Sequence, residues 1–157
     1  MTMINRVVTV VLMVACIAIY GCGGEGSGDG NSAPPDVVLD PSAPLWSYDY
    51  DTTIQDFRLT RLRPVDGDTL NVATVFSILN ATWPDINLVH QKTSNDTIFI
   101  YIPSSEHLTQ QMGSTGPVQF FVTATYSLTE LEGIRYVYYQ FQPGDHAEPG
   151  VYSRESF

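Results

Sequence analysis

Pro117-Val118-Gln119-Phe120-Phe121-Val122-Thr123-Ala124-Thr125-Tyr126-Ser127-Leu128-Thr129-Glu130-Leu131-Glu132-Gly133 runs directly into Ile134-Arg135-Tyr136-Val137-Tyr138-Tyr139-Gln140-Phe141. The first part carries a helical period. Val118, Phe121, Val122, Thr125, Leu128 and Leu131 recur on one stripe. Pro117 suits a first helical position, and Gly133 supplies the stop. The second part is apolar and aromatic on both of its alternating faces, which predicts a strand with neighbours on both sides. A helix feeding a well-covered strand implies a sheet with helices packed against it.

The preceding residues extend the pattern. Ile86–Lys92 and Thr97–Ile102 read as two strands joined by the turn Thr93-Ser94-Asn95-Asp96, and Pro103 ends the second. Ile98, Ile100 and Ile102 share one face of that strand, Phe99 and Tyr101 the other. Before the hairpin, Leu70, Val72, Val75, Phe76, Leu79 and Trp83 recur at helical spacing, with Asp68 or Thr69 as the expected cap and Pro84 as the stop. Phe57 and Leu59 predict a further strand, with an irregularity near Thr60-Arg61, ahead of the turn Val65-Asp66-Gly67-Asp68. The tail from Pro143 to Phe157 reads as loop, or as a short edge strand at Gly150-Val151-Tyr152. The expected fold is α+β: a small two-layer sandwich of order β-α-β-β-α-β. Two helices would lie on one face of a four-stranded, mostly antiparallel sheet.

The N-terminus has another character. After Arg6, an apolar run from Val7 to Tyr20 ends abruptly at Gly21-Cys22-Gly23-Gly24. The run has the length of a signal-peptide core and falls short of the roughly 20 residues a membrane helix needs. Ile19-Tyr20-Gly21-Cys22 resembles a bacterial lipobox, with Cys22 as the lipidated residue and Met13-Val14-Ala15-Cys16 as the second choice. Residues 1–21 are thus expected to be a lipoprotein signal peptide. Residues 22–45 would be a Gly/Pro-rich acidic linker, and residues 46–157 the folded domain. Six of the twelve glycines fall in residues 21–30, and prolines follow at Pro34, Pro35, Pro41 and Pro44.

The chain has 157 residues and a formal net charge of −10. Seven acids and no base lie between Cys22 and Phe57, whereas ten acids and six bases lie between Arg58 and Phe157. Most of the charge excess therefore sits in the tether and the residues just after it. Such a balance argues against nucleic-acid binding, which requires clustered positive charge. Both cysteines belong to the signal, so the folded segment has no disulfide or thiolate site of its own.

Chemistry-bearing residues are sparse. His90, His107 and His146 show no metal-ligand spacing. Asp66 and Asp68 flank a glycine and are read as turn and cap. Ser105-Glu106-His107 lacks the elbow that presents a nucleophilic serine. Glu130 and Glu132, two residues apart, do not share a helix face. Gly113-Ser114-Thr115-Gly116 has no lysine for a phosphate loop. No cofactor is expected. The aromatic set is the most suggestive feature, with Tyr101, Tyr136, Tyr138 and Tyr139 as the candidate partner surface.

Over residues 97–141 the chain also resembles the GerMN family, and the resemblance extends across residues 54–142. It rests on Gly113-Ser114-Thr115-Gly116 and on Tyr126, Leu128, Thr129, Gly133, Ile134 and Val137, with the strand Ile98–Ile102 before them. The polar region ahead of the glycine motif is compressed here to Glu106–Met112. The resemblance implies a domain of envelope lipoproteins. Together with the lipobox it implies a membrane-anchored protein facing the periplasm or the cell surface. The expected function is a non-catalytic binding or scaffold module for an envelope protein or glycan partner. The alternatives are an enzyme, or enzyme accessory, acting on peptidoglycan, and a structural subunit of an envelope complex.

Overall fold

A computed structural model of the chain describes Asp40 and residues 42–64 and 70–157. The signal run, Cys16, Cys22, the glycine-rich stretch and the turn with Asp66 and Asp68 lie outside the described residues. The fold is α+β. It contains β1 (Trp46–Asp51), β2 (Asp56–Arg61), α1 (Val72–Thr82), β3 (Val89–Ser94), β4 (Thr97–Tyr101), α2 (Gly116–Leu128), β5 (Tyr136–Gln140) and β6 (Gly150–Tyr152). A π-helical turn, His107–Gln111, precedes α2, and a 3-10 turn, Arg154–Ser156, follows β6.

The strands form two sheets. β1 and β2 make an antiparallel ribbon, and β3-β4-β5-β6 make a mixed sheet in which β4 and β5 run parallel. This corrects the expected strand order. The strand containing Phe57 and Leu59 forms, but among the described residues it pairs with β1 alone, and the fourth strand of the main sheet is β6. The reason is local. Trp46-Ser47-Tyr48-Asp49-Tyr50-Asp51 alternates aromatic and polar residues. Tyr48 and Tyr50 sit opposite Leu59 and Phe57, with the Tyr48 and Phe57 rings stacked at 5.2 Å. Closing so short a loop costs little chain entropy. Asp51 holds the turn by accepting from the Thr53 amide (2.8 Å) and its hydroxyl.

α1 starts at Asn71, whose side chain accepts from the Thr74 amide at 2.9 Å. Asn71 therefore takes the capping role expected of Asp68 or Thr69. Asn80 turns away from the apolar stripe and clamps the chain leading into β3. It accepts from the Leu88 amide (2.8 Å) and donates to the Leu88 carbonyl (3.1 Å). The β3–β4 hairpin forms, but β3 begins at Val89 rather than Ile86, and Thr93 and Ser94 pair with Ile98 and Thr97, so the turn is Asn95-Asp96 alone; Asn95 lies in the left-handed backbone region (φ 53°), and a register shift falls between His90 and Lys92.

α2 is the central helix. It packs against the β1 ribbon, α1 and β5, so it is buried around most of its circumference. Two of its hydroxyls are satisfied within the helix: Thr123 donates to the Gln119 carbonyl and Ser127 to the Thr123 carbonyl, each at 2.7 Å. Val118, expected in the buried stripe, is 44% exposed, because the inward positions of the first turn are taken by Pro117 and Phe120. The core gathers Val75, Ile78, Ile98, Ile100, Phe120, Leu128 and Tyr139, all fully buried.

Candidate functional site

Strand alternation divides the main sheet into two unlike faces. Parallel pairing sets Ile98 beside Val137 and Ile100 beside Tyr139 on the inner face. There Phe120 and Phe121 meet the Tyr139 ring edge-on at 6.0 and 5.1 Å, and Phe76 of α1 meets His90 of β3 at 5.5 Å. The same pairing sets Phe99 beside Tyr138 and Thr97 beside Tyr136 on the outer face.

Tyr139 therefore does not belong to a partner surface, which corrects its placement with the other tyrosines. It is fully buried, and its hydroxyl is hydrogen-bonded to Thr125 Oγ1 at 3.2 Å. Burial pushes its phenol well above the usual tyrosine range.

The three other tyrosines do share the outer face. Phe99 and Tyr138 touch across strands at 5.4 Å. Lys92 of β3 sits opposite Phe99 and holds its Nζ 4.6 Å from the ring centroid, and the Arg135 guanidinium lies 5.5 Å from the Tyr136 ring. Val151 of β6 pairs with Tyr138, so one row crosses the sheet as Lys92, Phe99, Tyr138, Val151. Val89, Tyr101 and Val151 are exposed, while Phe99, Tyr136 and Tyr138 are half-buried. This is an apolar strip bordered by two cations. Lys92, Arg135 and Val151 were missed from sequence. The first depends on the register shift in β3, and the last on which strand β6 joins.

The titratable residues stay apart. His90 Nε2 is hydrogen-bonded to Thr93 Oγ1 at 3.0 Å. His107 Nδ1 meets Gln111 Oε1 at 3.2 Å, and its Nε2 lies 3.9 Å from Asp85. His146 lies on the segment between β5 and β6, where its amide donates to the Thr109 carbonyl. The Ser105 hydroxyl donates to the Gln142 carbonyl at 2.7 Å, and no hydrogen bond joins it to His107 among the described residues. Glu130 is engaged by two arginines, and Glu132 is exposed. Among the described residues no three His, Cys, Asp or Glu side chains cluster as a metal site would require, and no helix is long and apolar enough to cross a membrane. Compared with protein-family models, curated proteins and solved structures, the chain has no match.

Proposed function

We propose that this chain is a lipid-anchored, non-catalytic binding module of the cell envelope, and that it engages an envelope protein or glycan through the outer face of its main sheet. The observation carrying this reading is the asymmetry of the sheet. The inner face holds the core. The outer face presents Phe99, Tyr101, Tyr136 and Tyr138, bordered by Lys92 and Arg135. Aromatic rings on a flat face stack on sugar rings or apolar side chains, and their hydroxyls supply polar contacts at the edge. The flanking cations favour a partner bearing carboxylates.

The rest of the reading follows from the sequence. Cys22 would carry the lipid, and the acidic stretch after it would hold the domain away from the bilayer. The GerMN resemblance supports an envelope role. It also accords with a two-layer reading of the domain, in which both helices cover one sheet face and leave the other to a partner. The Phe76–His90 and Phe121–Tyr139 contacts support that reading.

The test is capture of the partner by the intact lipoprotein in its own envelope, with Tyr138→Ala and Tyr101→Ala versions alongside. Loss of the same partner from both variants, with unchanged thermal midpoints, is the expected result. Retention by both would rule out the sheet face.

A further inference from the structure

A second concave surface lies away from the outer sheet face, where α2, the start of the β1 ribbon and the C-terminal segment meet. Its volume is about 510 Å³, within the range of small-ligand and side-chain pockets. The floor is an aromatic ladder. Phe121 stacks on Tyr152 at 4.6 Å with the planes 6° apart, and Tyr152 stacks on Phe157 at 6.1 Å and 13°. Tyr48 and Val118 form the walls. Val118 and Phe157 are 44% and 46% exposed, an uncommon cost for two large apolar side chains that border one cavity. The rim carries Asp145 and Glu148, both exposed and neither in an ion pair among the described residues. Among the described residues no arginine or lysine lines the cavity, and His146 is its one basic side chain.

The geometry points to a docking groove for a basic peptide segment of a partner protein: an apolar side chain on the Phe121–Tyr152–Phe157 ladder, and a lysine or arginine beside it reaching Asp145 and Glu148. Charge selects this occupant. The chain's own segment between Cys22 and Asp40 holds four acids and no base, so it meets the rim as a like charge. A cationic side chain gains twice here, because its methylene stem covers aromatic surface while its head meets unpaired carboxylates.

The probe is an acetylated and amidated Leu-Lys-Leu-Arg-Leu peptide, titrated into the full chain in neutral detergent and followed by backbone-amide NMR. Leu-Glu-Leu-Glu-Leu serves as the control. The expected result is saturable perturbation at Val118, Tyr152 and Glu148 by the basic peptide alone, weakened by added salt. The Asp145→Asn/Glu148→Gln variant should bind about three- to tenfold more weakly with an unchanged thermal midpoint, as two rim charges at their usual worth require. Tyr138→Ala, on the other face, should bind like the parent. No binding to the parent chain, equal binding by the Asp145→Asn/Glu148→Gln variant, or loss confined to Tyr138→Ala would each overturn the groove. Loss confined to Tyr138→Ala would move the peptide to the sheet face, and the other two outcomes leave partner capture by that face as it was, so the two surfaces fail separately.

Discussion

Arg154 donates to Glu130 across 2.8 Å, and with its bonds to Thr129 Oγ1 (2.7 Å) and the Tyr126 carbonyl (3.2 Å) it ties the C-terminal turn to the end of the central helix. Glu130 also accepts from Arg61 at 2.7 Å and from the Trp46 indole at 3.2 Å. The two arginines flank the Trp46 ring at 5.8 and 5.6 Å, and Arg154 also covers the Tyr126 ring at 4.8 Å. One carboxylate, 14% exposed, thus joins the β1 ribbon, α2 and the residues after β6. Removing it takes the shared counter-charge from both guanidinium groups. Glu130→Ala should cost about 2–3 kcal/mol in urea denaturation, as loss of charge-assisted hydrogen bonds does. Hydrogen exchange should rise at residues 46–61 and 153–156 together. Exchange rising in only one of these segments would show that Glu130 is not their common tie.

Tyr139 gives a pH signature. Its phenol is buried and stays protonated in the folded chain above the pH at which an unfolded tyrosine ionises, about 10. Above that value the unfolded state binds fewer protons than the folded state, so stability falls as pH rises, by up to about 1.4 kcal/mol per pH unit for this group. Below pH 10 the two states hold the same proton and Tyr139 adds no slope. Tyr139→Phe should cost about 1 kcal/mol at neutral pH, through the lost Thr125 contact. It should also flatten the decline between pH 10 and 11. Equal slopes for parent and variant would assign the alkaline loss to other tyrosines.

Gly144 faces Thr109 so closely that an added Cβ would stand 2.6 Å from the threonine Cβ. Thr109 cannot swing away freely. It is buried, its hydroxyl donates to the Ser105 carbonyl at 2.9 Å, and its carbonyl accepts from the His146 amide at 3.1 Å. Gly144→Ala should therefore destabilise by about 1–3 kcal/mol, the usual cost of overpacking. Gly144→Ala combined with Thr109→Gly, which removes both the Cβ and the hydroxyl that the new methyl would meet, should destabilise by less than the two single changes summed. A neutral Gly144→Ala variant would mean that the 143–147 loop moves without penalty.

Lipidation separates the two cysteines. Cys22→Ser should abolish the lipid's added mass and leave the uncleaved precursor, which keeps its own apolar run. Cys16→Ser should keep the lipid. The opposite pair of results would move the anchor to Cys16.

Periodicity made part of this fold legible. The helical stripes of α1 and α2 and the alternating β4 could be read because each element buries a face set by its own spacing. Pairing between distant strands was not readable in this way. Nothing in Asp56–Arg61 says whether its neighbour is the main sheet or the strand just before it, and β1 was hidden because its acids continue the charge pattern of the linker. The site shows the same divide. Tyr136-Val137-Tyr138-Tyr139 is apolar at every position, so alternation alone does not say which tyrosines face inward. Only the helix lying over Val137 and Tyr139 decides it. Lys92 joins the outer face through a bulge, and a bulge leaves no mark in a hydropathy pattern.

The same bulge matters at the rim of the sheet. β3 is the longer of the main sheet's two edge strands, exposed at all six positions, and an unbroken edge of that length invites another chain to add a strand. The shift between His90 and Lys92 breaks the straight run of free amides and carbonyls, and Lys92 adds charge beside the break. The bulge and Lys92 thereby make this edge a poorer template for a strand offered by a neighbouring molecule.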